Sequence, residues 1–82
     1  MTDTDKDQCT KAMRLIESDD WNGAHDIAEK IHSPNGYLIH AYLHRIEGDQ
    51  WNADYWYRQA GRQRPNVSIK EEWQLIMDII NP

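Results

Sequence analysis

His40 to Arg62 reads HAYLHRIEGDQWNADYWYRQAGR, and this stretch decides the fold because it carries both halves of a helical hairpin and the turn between them. Ile39, Tyr42, Leu43 and Ile46 recur at helical spacing, and after Glu47-Gly48-Asp49 a second apolar set follows at Ala53, Trp56, Tyr57 and Ala60. Gly48 can adopt the left-handed conformation that ends a helix, and the Asp49 carboxylate can accept from the free amides that open the next one. The stretch therefore predicts two amphipathic helices in close antiparallel contact, with Ala53 and Ala60 where the backbones approach.

Moving toward the N-terminus, Ser33-Pro34 marks the start of that first helix, since proline has no amide to lose at a first helical position. Before it, Ala24, Ile27, Ala28 and Ile31 form one face of a helix that starts after Ser18-Asp19-Asp20 and reaches His32. A further helix is predicted from about Asp7 to Glu17, with Cys9, Ala12, Met13 and Ile16 inward. Residues 1–6, MTDTDK, offer no apolar partner and are expected to fray.

Toward the C-terminus, Pro65 disfavours helix at the residue before it. Ser68 with Glu71 then forms a capping box for a helix over about 68–80. Ile69, Trp73, Ile76, Met77 and Ile80 line one face, while Leu75 and Ile79 point elsewhere. Those two predict a contact with a second chain, and a homodimer through this helix is one expectation. The reading is thus one all-α domain over 1–82, with five helices in two hairpins, about 7–32 and 34–63, and a C-terminal capping helix.

A shift of thirty residues lays Glu17-Ser18-Asp19-Asp20-Trp21-Asn22 on Glu47-Gly48-Asp49-Gln50-Trp51-Asn52 with four identities, and carries Cys9, Met13 and Ile16 onto Ile39, Leu43 and Ile46. The repeated Trp21 and Trp51 predict a repeated packing contact. In the second copy Gly48-Asp49, Ala53, Tyr57, Ala60 and Pro65 resemble a tetratricopeptide repeat. The first copy departs from it, with Gly23 and Ile27 at equivalent places but Lys30 where a small residue belongs. The block HAYLHR-EGD-WNADYWYRQAG also resembles a set of small bacterial proteins. The repeat resemblance implies a protein-interaction domain rather than an enzyme.

Nine Lys and Arg against fourteen Asp and Glu give a net charge of -5, which opposes binding to a phosphate backbone. The single Cys9 forms no internal disulfide, and no apolar run is long enough for a leader or a membrane span. A cytoplasmic protein with a protein or peptide partner, no nucleic acid and no membrane is the expectation.

His40 and His44 stand one helical turn apart with Glu47 on the same side, a candidate set for a divalent metal or for acid–base chemistry. An ion there needs a further ligand, and no HExxH or Cys–His pattern accompanies the pair. The favoured expectation is no cofactor, with two packed imidazoles hydrogen-bonded to Tyr57, Trp56 or a backbone carbonyl and with lowered pKa values. Arg58, Arg62 and Arg64 form a basic cluster suited to a carboxylate, a phosphate or an acidic segment, although cations also favour a helix C-terminus. Tyr37, Tyr42, Arg45 and Trp56 are candidates for a concave partner surface. Catalysis has less support, because Cys9 has no base nearby in sequence.

Overall fold

The computed structural model describes residues 3–82, and the order of elements is α1 (Asp3–Glu17), α2 (Trp21–Ala28), α3 (Pro34–Glu47), α4 (Gln50–Gln59) and α5 (Ile69–Ile80). Among the described residues all regular structure is helical. No helix is long and apolar enough to cross a membrane. Helix α1 begins a turn earlier than the apolar spacing predicts, and Asp5 lies in its first turn, where amide dipoles favour negative charge. Met1 and Thr2 lie outside the described residues.

The predicted boundary chemistry is present at four helix starts. Asp20, Ser33, Asp49 and Ser68 each cap a helix by accepting from an amide three residues on, and Ser68 with Glu71 completes the capping box. Gly48 takes φ 85° and ends α3. The equivalent left-handed position in the first hairpin is filled by Asp19 at φ 68°, which a short polar side chain tolerates better than most.

That turn corrects the repeat alignment. The N-caps Asp20 and Asp49 stand 29 residues apart, one fewer than the shift that matches the tryptophans. In the structural register Ala24 and Ala28 occupy the places of Ala53 and Tyr57, all four buried, so Gly23, Ile27 and Lys30 are not the equivalent residues. The counterpart of Ala60 in this register is Ile31, buried but large, so the departure from a small residue moves from Lys30 to Ile31. The same offset separates the two tryptophans by one position on their helices, about 100° of rotation. Trp21 turns inward and its Nε1 donates to the Leu43 carbonyl at 2.7 Å, whereas Trp51 is 75% exposed. The expected shared packing role for Trp21 and Trp51 therefore fails at Trp51.

The core is built from Cys9, Ala12, Met13, Ala24, Ala28, Leu38, Ile39, Ala41, Tyr42, Leu43, Ala53 and Tyr57, with Ile76, Met77 and Ile80 from α5. Helix α5 packs against α1 and α3. It is tied there by Trp73 Nε1 donating to the Met13 carbonyl at 2.9 Å and Tyr42 Oη donating to the Ile69 carbonyl at 2.7 Å. Ile69, the first residue of α5, is 41% exposed and borders an apolar groove with Ile16, Tyr42, Ile46 and Trp73. Helices α3 and α4 approach through Ala53, which has no exposed surface. Ala53→Leu is expected to overpack the hairpin and cost about 1–3 kcal/mol, read as a lowered denaturation midpoint.

Candidate functional site

Two regions carry chemistry beyond packing, and the first is a stack of aromatic rings between α2, α3 and α4. His40 projects from the middle of α3 and is 8% exposed. The ring of Trp56, on α4, lies parallel to it with centroids 4.1 Å apart. One turn along α3, His44 stacks on His40 at 4.9 Å. The third member comes from α2: His25 Nε2 lies 3.1 Å from His40 Nε2, and the His25 ring is stacked at 4.9 Å on Trp21. Since Trp21 is held by Leu43, each end of the stack is fixed by a tryptophan.

The carboxylates stand behind the rings. His44 Nδ1 is 2.5 Å from Glu47 Oε1, and His25 Nδ1 is 3.8 Å from Glu29 Oε2. The predicted grouping of His40, His44 and Glu47 is thus rearranged: Glu47 engages Nδ1 of His44, and His25 supplies a third imidazole. One ring nitrogen from each of His25, His40 and His44 lies within 4.8 Å of the others. Asp49, also near His44 and Glu47, is occupied in capping α4 and bonding Asn52.

Burial, with the neighbouring His25 and His44, pushes the His40 imidazole down to about 4. The hydrogen-bond partner is another histidine; Tyr57 is engaged elsewhere and Trp56 contributes its ring face. The sign of the pH effect follows. Between about 4 and the unfolded value of roughly 6.5 the unfolded chain binds more protons, so the His40 contribution is present above 6.5 and is lost as pH falls toward 4. Its full size is about 3 kcal/mol. An NMR titration with a chelator present should show His40 neutral at pH 5; an imidazole titrating near 6.5 would contradict its burial.

Next to the stack, two candidate surface residues leave the surface. Tyr42 is buried, and Arg45 donates through Nη1 to Glu72 Oε1 at 2.6 Å and through Nη2 to the Val67 carbonyl at 2.6 Å. Glu72, 1% exposed, also accepts from Tyr57 Oη at 2.6 Å. Helix α5 thus fills the face on which Tyr42 and Arg45 were expected to receive a partner. Tyr37 and Trp56 remain half-buried, packed on one another with centroids 5.6 Å apart.

The second region lies along the seam between α5 and the segment after α4. An apolar groove of about 340 Å³ is lined by Leu38, Pro65, Leu75, Ile76 and Ile79, with Arg62, Gln63, Glu72 and Asp78 at its margins. A polar pocket of about 260 Å³ is lined by Asp54, Tyr57, Arg58, Arg62, Gln63 and Arg64. Arg62 and Gln63 border both, so apolar floor and guanidinium rim are continuous. Another apolar groove, about 490 Å³ between Ile16, Tyr42, Ile46 and Trp73, is rimmed by Glu17, Lys70 and Gln74 without a basic cluster.

His25 and Glu72 were missed in the sequence, and each had a signal there. Glu72 falls three residues after Ile69 and four before Ile76, inside the apolar stripe of α5. His25 sits four residues before Glu29 on α2, and only the packing of α2 on α3 reveals its partner. Protein-family models, curated proteins and solved structures all fail to match this chain.

Proposed function

We propose that the chain is a non-catalytic binding domain that takes an acidic, amphipathic segment of a protein partner along the seam between α5 and the segment after α4. The observation that carries this reading is the continuity of the two pockets through Arg62 and Gln63. Apolar side chains of the segment enter between Leu75, Ile79 and Pro65, and its carboxylates meet Arg58, Arg62 and Arg64. Planar guanidinium groups suit such pairs, and in a chain of net charge -5 this cluster supplies the complementary field.

Leu75, 43% exposed, and Ile79 favour a second occupant of the same groove, the α5 helix of another copy. Acid–base chemistry at His40, His44 and Glu47 is the weaker proposal, because His40 is enclosed by rings and Glu47 is engaged with Nδ1 of His44.

A titration of the labelled chain with a panel of acidic amphipathic and charge-neutral peptides, followed by NMR, tests the reading. Acidic peptides should shift the amides of residues 62–79, weaken with added salt, and lose binding in Arg62→Glu and in Leu75→Glu. Equal binding of charge-neutral peptides, or binding that survives both variants, would refute it. A sedimentation mass that rises with concentration and falls in Leu75→Glu would assign the groove to a second copy.

A further inference from the structure

We propose that His25, His40 and His44 form a binding site for a first-row divalent transition ion of the imidazole-preferring class, such as Zn²⁺, between α2 and α3. This goes beyond the peptide-binding reading and does not depend on it.

The distances are close to those a metal needs. Two imidazole nitrogens on a tetrahedral Zn²⁺, each about 2.0–2.1 Å from the ion, lie roughly 3.3 Å apart. His25 Nε2 and His40 Nε2 are already 3.1 Å apart, and the three donor nitrogens fall within 4.8 Å. Small rotations of half-buried His44 close the set, and the two tryptophans hold the outer faces of His25 and His40.

The surrounding groups have the arrangement that metal-bound histidines use, in which the far ring nitrogen donates to a carboxylate and fixes the tautomer. Glu47 accepts from His44 Nδ1, and in the neutral ring that places the proton on Nδ1 and leaves the lone pair on Nε2. In the metal-free pair one of the two facing Nε2 atoms carries the hydrogen and the other accepts it. An ion held by both requires the donor ring to carry its proton on Nδ1 instead; on His25 that nitrogen lies 3.8 Å from Glu29. No net proton need leave. Burial also keeps His40 in the neutral form that a ligand requires.

Imidazole donors suit Zn²⁺, Ni²⁺, Cu²⁺ and Co²⁺ and discriminate against Mg²⁺ and Ca²⁺, which prefer oxygen. The test is calorimetric titration of the full chain at neutral pH with Zn²⁺ and with Mg²⁺, alongside thermal melts. The expected result is one Zn²⁺ per chain, a melting temperature raised by about 5–10 °C, and no effect of Mg²⁺. His25→Ala and His44→Ala, each verified as folded by circular dichroism, should lose the Zn²⁺ response, and exposed His32→Ala should keep it. If a variant does not fold, nitrogen NMR of the imidazoles in the wild-type chain reads the site directly: Zn²⁺ should move the Nε2 signals of His25, His40 and His44 and leave His32 unchanged. Absence of binding by the wild-type chain, an equal response in folded His25→Ala, or imidazole shifts confined to His32 would overturn the proposal.

Discussion

Glu72→Ala is expected to cost about 3–5 kcal/mol, a large part of the stability of a domain this size, because it leaves the Arg45 guanidinium half-enclosed with its main partner gone. The Tyr57 hydroxyl, which bonds both Glu72 oxygens, loses its acceptor at the same time. Glu72→Gln should cost less, since its amide oxygen still accepts. The diagnostic measurement is a double-mutant cycle in urea. If the penalty comes from a stranded charge, Arg45→Met with Glu72→Met is milder than the sum of the two single changes. Additive losses would mean that the two side chains are not coupled and that a stranded charge is not the source of the penalty.

Gly36→Ala should invert the usual sign of such a change. Alanine is a better helix former than glycine by about 0.5–1 kcal/mol, so within α3 it would ordinarily stabilise. Here a Cβ would lie 2.3 Å from the Ile31 carbonyl oxygen and 2.5 Å from Ile31 Cγ2. Backbone cannot yield as the tip of a flexible side chain can, and Ile31 is itself buried. A loss of about 2–3 kcal/mol is expected in the same denaturation experiment. A gain in stability would show that the α2–α3 connection swings clear at little cost.

The helices were legible because their signals are local. Ser33-Pro34, Gly48-Asp49 and the Ser68–Glu71 box each act within four residues, and each is found where its chemistry requires. Repeat register was less legible: matching Trp21 with Trp51 maximises identity, yet the left-handed residue, Asp19 in one turn and Gly48 in the other, sets the geometry. The candidate site was half visible. His40 and His44 share a helix and announce themselves by spacing, whereas His25 reaches them from another helix. Tyr42 and Arg45 looked like a binding surface because nothing in their own helix shows that α5 will cover them. The information lay in α5, in a glutamate that interrupts its apolar stripe.

The position of α5 also orders the events of folding. Its ties reach back 60 residues from Trp73 to Met13 and 27 from Glu72 to Arg45, whereas the two hairpins close through short loops. Contacts local in sequence cost less entropy to close than distant ones, so the hairpins are expected to form before α5 docks. Until it docks, Met13 and Tyr42 lack their partners on α5, and Arg45 and Tyr57 lack their carboxylate. A chain ending before α5 would therefore leave that apolar face open, and closing it takes the whole helix: Trp73, Ile76, Met77 and Ile80 for the apolar cover and Glu72 for the two polar groups.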